Sequence, residues 1–192
     1  MEKLAIEGGK PVRSTKIFYG RQWIDENDIM AVTKVLRGDF LTGGPNVGAF
    51  EEKLSSYVGS KYAVSVSSGT AALHCACIAA EIGPGDEVIV SSLTFMPSAN
   101  CILYCGGTPV FADIDPNTFN IDPKSIRSHI TKKTKAIVAV DFGGQAVNHK
   151  EIRQICDEFG LIFIEDAAHS LGSSYNGKRI GSLADITCFS FH

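Results

Sequence analysis

Leu161-Ile162-Phe163-Ile164-Glu165-Asp166-Ala167-Ala168-His169-Ser170 sets four large apolar residues directly before two carboxylates and a histidine. Four such residues without polar alternation predict a strand over 161–164 that is buried on both faces, the pattern of a parallel sheet covered by helices. The carboxylates then fall at the carboxyl end of that strand. In an open α/β sheet the loops leaving that end form the ligand crevice. Asp166 also has a plainer reading, as the cap of the turn that follows.

Outward from this stretch the chain alternates between two periods. Strand patterns fall over 62–66, 87–90, 109–112 and 135–140, and helical patterns over 70–80, 97–105, 123–130 and 150–159. Repeated strand–helix alternation predicts an α/β fold, mainly a parallel sheet with helices on both faces. After the central stretch, Asn176-Gly177 between Tyr175 and Lys178 is a two-residue hairpin signal, and 184–191 reads as one more strand. Before the alternation, Asp25 caps a helix running to Arg37, with Ile29, Val32, Val35 and Leu36 at helical spacing and a stop at Gly38. A loop rich in permissive residues over 39–46 leads to a second helix with Phe50, Leu54 and Val58 on its apolar face. The first residues, with Gly8-Gly9, Pro11, Arg13 and Lys16, read as an extended arm. The expected organisation is therefore an arm over 1–24 and one domain over 25–192.

Composition narrows the function classes. The 192 residues suffice for one α/β core, and 44% hydrophobic with 20% charged residues is ordinary for a soluble globular chain. A formal net charge of -3 gives no broad attraction for nucleic acid or an anionic membrane. No apolar run approaches the ~18 residues of a spanning helix, and Met1-Glu2-Lys3-Leu4 runs into Gly and Pro, so a cytoplasmic location is expected. The six cysteines (Cys75, Cys77, Cys101, Cys105, Cys156, Cys188) contain no C-x-x-C pair. They read as small buried hydrophobes in a reducing compartment, and no metal site is expected.

Three strand ends carry the chemistry. Ser65-Val66-Ser67-Ser68-Gly69-Thr70 runs from a strand pattern into a helix through small residues. The helix start, with the hydroxyls of Ser68 and Thr70, could cradle a phosphate, although small residues there also serve as ordinary N-caps. Leu93-Thr94-Phe95 places an aromatic at the next strand end, where it could stack on a flat heterocycle or simply join the core. With the carboxylate of Asp166, these would meet the needs of a pyridinium cofactor carrying a phosphate: a cradle, a stacking face and an anion for the ring nitrogen. Asp113 and Asp115, before Pro116, read as turn formers.

Several blocks resemble one family. Ser68-Gly69-Thr70-Ala71-Ala72-Leu73-His74, Gly85-Asp86-Glu87-Val88-Ile89-Val90, Thr108-Pro109-Val110-Phe111-Ala112-Asp113-Ile114-Asp115, Ile164-Glu165-Asp166-Ala167-Ala168-His169-Ser170 and Phe189-Ser190-Phe191-His192 are similar to the DegT/DnrJ/EryC1/StrS family, in register from about Ile24 onward. The resemblance implies a sugar aminotransferase of PLP-dependent fold type I, acting as a homodimer with pyridoxal 5'-phosphate. It puts Gly69, Thr70 and Ser190 on the cofactor phosphate, Phe95 on the ring face, Asp166 on the ring nitrogen and His169 beside the ring's 3-hydroxyl. For His169 a purely structural role stays open, and His192 belongs to a motif without being catalytic itself.

Within the family, Leu41-Thr42-Gly43-Gly44-Pro45, Gly143-Gly144-Gln145 and the Ser-Phe-His motif look most like enzymes that aminate UDP-linked 4-keto-6-deoxy sugars with glutamate, as in pseudaminic acid synthesis. The UDP-4-amino-4-deoxyarabinose transaminases are similar too. Family members carry the Schiff-base lysine a few residues past the Ser-Phe-His motif, a position beyond His192, and then a small C-terminal domain. The expectation is thus a shortened chain that is inactive alone. A dehydratase branch with histidine in place of that lysine, and a non-catalytic fragment, are the alternatives.

Overall fold

The computed structural model describes residues 3–18 and 20–192; Met1, Glu2 and Tyr19 of the expected arm lie outside them. The chain falls into two units, Met1–Gly44 and Pro45–His192. In the first, a short 3-10 turn at Ala5–Glu7 precedes helix α1 (Glu26–Leu36). Asp25 caps α1 reciprocally. Its Oδ1 accepts from the N–H groups of Asn27 and Asp28, and Asp28 Oδ2 accepts from the Asp25 N–H. Most apolar side chains of α1 are exposed, among them Ile29, Val32 and Leu36, and Val35 is half-buried.

The second unit begins with helices α2 (Pro45–Val58) and α3 (Gly69–Ala79). Then come strand β1 (Glu87–Ser91), α4 (Pro97–Tyr104), β2 (Thr108–Ala112), α5 (Pro123–His129), β3 (Thr134–Val140), α6 (His149–Phe159) and β4 (Ile162–Asp166). A small antiparallel hairpin, β5 (Ser174–Tyr175) with β6 (Lys178–Arg179), turns through Asn176-Gly177, and β7 (Ile186–Cys188) ends the fold. The main sheet is parallel throughout, in the order β2-β1-β3-β4-β7. From β1 the chain moves outward to β2 and then crosses back to β3 on the other side. That reversal opens a crevice at the carboxyl ends of β1 and β3.

Period-two alternation divides the core between the two faces. Val88, Val90, Val138 and Ile164 pack under α3 and α4 with Leu73, Cys77 and Ile102. Ile89, Ile137, Ala139 and Phe163 pack under α5 and α6 with Ile126, Ile152 and Ile155. Both faces are covered, which is why the strands read as unbroken apolar runs.

Three expectations are corrected. Residues 62–66 form no strand: a strand exists through its partner, the sheet gives this segment none, and Tyr62 and Val64 are exposed at 73% and 80%. The final strand is three residues, Ile186–Cys188, not 184–191, because only Ile164, Glu165 and Asp166 of β4 pair with it. The cysteines do not behave as one class; Cys77, Cys101, Cys156 and Cys188 are buried, whereas Cys75 lies on the exposed side of α3 and Cys105 is half-buried. Asp115 does form the expected turn, its Oδ1 accepting from the Asn117 N–H at 2.7 Å. Among the described residues no helix is long and apolar enough to cross a membrane.

Candidate active site

Strand β4 runs two residues further than its apolar core, through Glu165 and Asp166. Alternation therefore sends the two carboxylates to opposite faces of the sheet. Asp166 faces α4, on the side of Ile164, whereas Glu165 faces α6 with Phe163. Asp166 is only 6% exposed, so its charge must be met by hydrogen bonds. Ser98 Oγ, in the first turn of α4, donates to Asp166 Oδ2 at 2.6 Å, and the Ala168 N–H donates to Oδ1 at 3.2 Å. Thr94 Oγ1 lies 2.7 Å from Ser98 Oγ. Because the single Ser98 proton is committed to the carboxylate, Thr94 is the donor in that pair. The chain Thr94–Ser98–Asp166 aims the carboxylate at a cavity of about 650 Å3.

The cavity lies at the carboxyl ends of β1, β3, β4 and β7, against the amino end of α3. Ser68 caps α3, its Oγ accepting from the Ala71 N–H at 3.1 Å. The N–H groups of Gly69 and Thr70, in the first turn, have no partner inside the helix and lie at its positive end. Ser68 is thus an N-cap, as one sequence reading has it, and also lines the cavity. A Cβ on Gly69 would stand 2.9 Å from Ser190 Cβ and 3.1 Å from its Oγ, so only glycine lets the two segments meet. Ser190 Oγ donates to the His192 carbonyl at 2.9 Å.

Phe95 is 74% exposed at the cavity edge, which disposes of the reading that it is core. His169 is exposed and lines the same cavity. Its Nδ1 accepts from the Gly143 N–H at 3.3 Å, so in the neutral ring the proton is assigned to Nε2, and its ring meets Phe142 edge-on at 6.5 Å. Gly144 carries φ +87° and a Cβ there would come 2.9 Å from the His169 carbonyl; the loop can pack on His169 only because it is glycine. Cys188 also lines the cavity, but burial, and then the charge of Asp166, push its thiol up, so it stays protonated and is no nucleophile.

Gly69, Thr70, Phe95, Asp166, His169 and Ser190 therefore line one cavity, although up to 121 positions separate them. None of the described residues lining it is a lysine. Sequence reasoning missed Ser98. Its signal was a small polar residue one position after Pro97, on a helix otherwise apolar toward the sheet.

Comparison with known proteins follows the same lines. The model of the DegT/DnrJ/EryC1/StrS aminotransferase family matches residues 22–192. The spore coat polysaccharide biosynthesis protein SpsC of Bacillus subtilis is 47% identical over 174 residues, 91% of this chain and 45% of that protein. The UDP-4-amino-4,6-dideoxy-N-acetyl-beta-L-altrosamine transaminase of Campylobacter jejuni is 42% identical over 180 residues, 92% of this chain and 47% of that one. Among solved structures, the PLP-form of Spr1654 from Streptococcus pneumoniae superposes with a TM-score of 0.88 at 35% identity, covering 93% of this chain and 49% of that one. The chain spans about half the length of these relatives.

Proposed function

We propose, since this chain belongs to the DegT/DnrJ/EryC1/StrS aminotransferase family, that the whole protein is a PLP-dependent transaminase moving an amino group from glutamate to a UDP-linked 4-keto-6-deoxy sugar. In this reading it serves the synthesis of a cell-surface glycan of the pseudaminic acid kind. Residues 25–192 are most of its cofactor-binding large domain, residues 1–24 an arm, and the working form a cytoplasmic homodimer. The observation that carries the reading is Asp166: a buried carboxylate, aimed by two donors into a cavity whose other wall is the amino end of α3.

The residues present fit PLP. Gly69 lets the amino end of α3 and the Ser190 hydroxyl stand together at the cavity wall, an approach that a Cβ would block. When bound, PLP supplies an electron-poor ring that takes up the electron pair released when a proton leaves the amino-bearing carbon. The Gly69 and Thr70 N–H groups and Ser190 Oγ would bind the phosphate, and Phe95 would cover one ring face. Asp166 would keep the ring nitrogen protonated, and Ser98 and Ala168 stop the carboxylate from turning away. His169, with Nδ1 engaged by Gly143, has Nε2–H free to donate beside the ring. The base that moves the proton is not among the described cavity residues. These 192 residues alone are therefore expected to bind PLP without turnover.

Gly69→Ala in the full-length protein is expected to weaken PLP binding roughly tenfold, because the added Cβ collides with Ser190 and displaces its hydroxyl, at the cost of about one hydrogen bond to a charged group. Absorbance titration measures it, and an unchanged affinity would remove the phosphate from α3. The function itself is tested with purified full-length protein, PLP, glutamate and UDP-4-keto-6-deoxy-N-acetylhexosamine. Formation of 2-oxoglutarate together with the 4-amino sugar supports the reading. A deoxygenated sugar would place the protein in the dehydratase branch, and steady-state transamination by the 192-residue chain would overturn the statement about these residues.

A further inference from the structure

We propose that Asn120, on the turn between β2 and α5, is a positioning residue for His169 and acts on it through the loop over 142–146. In the transaminase reading above, on which this proposal rests, His169 donates beside the cofactor ring; Asn120 is what keeps its imidazole there.

Asn120 is 4% exposed, and the turn that carries it is closed by its own backbone hydrogen bonds. The Asp115 N–H donates to the Asn120 carbonyl at 2.9 Å, the Phe119 N–H donates to the Asp115 carbonyl at 2.8 Å, and Ile114 bridges Ile121. The Asn120 side chain is therefore left for the neighbouring loop. Its Nδ2 donates to the Gln145 carbonyl at 3.0 Å and to the Ala146 carbonyl at 3.1 Å, and its Oδ1 accepts from the Phe142 N–H at 2.9 Å. Only one orientation of the amide satisfies all three. A buried amide fully engaged with backbone 22 to 26 positions away fixes the path of that backbone.

The loop needs such a hold. None of residues 142–146 is buried, and Gly143 and Gln145 are exposed, so apolar packing gives the loop little. Asp141 closes its base, Oδ1 accepting from the Val147 N–H at 2.9 Å, and Ser173 Oγ donates to the Gly144 carbonyl at 2.8 Å. At the tip the Gly143 N–H donates to His169 Nδ1 at 3.3 Å, the bond that leaves the proton of the neutral ring on Nε2. A second observation points the same way. Phe119, next to Asn120, has φ +61°, the left-handed region that a bulky side chain rarely enters. Such strain persists only where the surrounding structure fixes it, and it gathers at functional sites. In this conformation the Phe119 ring lies 6.4 Å from that of Phe142, which in turn meets His169 edge-on at 6.5 Å. The turn thus reaches His169 by two routes, one of hydrogen bonds and one of rings, and Phe142 and His169 both line the cavity.

The test uses the full-length protein with Asn120→Ala, His169→Ala and the two combined. In the protein as purified, amide hydrogen exchange over 142–147 is expected to quicken about tenfold in Asn120→Ala, with β4 and α6 unchanged. With PLP, glutamate and the UDP-keto sugar, Asn120→Ala is expected to lower kcat on the order of tenfold, the effect of a misplaced group. In the His169→Ala background the same change should cost less than about twofold, since the two substitutions then remove one function. A purely structural role would cost as much in either background, so equal losses, or unchanged exchange over 142–147, overturn the role given to Asn120. If Asn120→Ala does not fold, Ser173→Ala takes its place, freeing the same loop at Gly144, and the same two readouts decide. A parent protein without transaminase activity overturns the reading on which this one rests, whereas equal losses in an active parent overturn only the part played by Asn120.

Discussion

Asp166→Asn in the full-length protein is expected to lower kcat on the order of 100- to 1000-fold, the cost of deleting one preorganised electrostatic partner of a developing charge. The change keeps the shape of the side chain. An asparagine can still accept from Ser98 Oγ or the Ala168 N–H, so the cavity wall survives. What disappears is the negative charge. An amide cannot hold a proton on a ring nitrogen that only a buried anion stabilises, and at 6% exposure water does not replace it. Steady-state kinetics and circular dichroism together separate this from unfolding. Loss of kcat with an unchanged spectrum is the expected pair, and kcat within about threefold of the parent would move the ring away from Asp166. Ser98→Ala should act in the same direction and less strongly, because it frees the carboxylate to rotate without removing its charge.

Phe163→Ala is expected to destabilise the full-length protein by about 3–5 kcal/mol. Phe163 is fully buried in β4, in the cluster with Ile126, Ile137, Ile152 and Ile155, and its ring also meets His149 and the Arg153 guanidinium. Truncation leaves a cavity between sheet and α6 that well-packed neighbours can fill only in part. Because β4 sets Asp166 through its pairing with β3 and β7, the same substitution should loosen the site as well as the core. Urea denaturation with an unchanged slope is the measurement, and a loss below about 1 kcal/mol would mean that α6 does not close on β4.

Most of the elements were readable because their causes are local. Short apolar runs give the strands, and Asp25, Ser68, Asp122 and Asn148 cap the helices where side chains of their type are expected to. The candidate site was readable for a less direct reason. In a parallel sheet every strand points the same way, so residues that follow strands gather at one end however far apart they lie in sequence. Phe95 and Asp166 needed no contact information to be placed there.

Residues 62–66 carry the same apolar signal as a true strand and form none, since pairing is a property of the neighbour and not of the segment. Ser98 matters because α4 sets it over the end of β4, 68 positions away, and no spacing rule reaches that far. Glu165 and Asp166 look like one acidic pair in sequence, yet the pleat sends one to the cavity and the other to Asp141 and His149. By itself the sequence determined the fold class, the elements and the end of the sheet where chemistry gathers, because propensity, capping and apolar period act over a few residues. The tertiary structure alone decided the strand order, the partner of Asp166 and the buried Asp141–His149–Glu165 group, because these depend on which distant segments pack together.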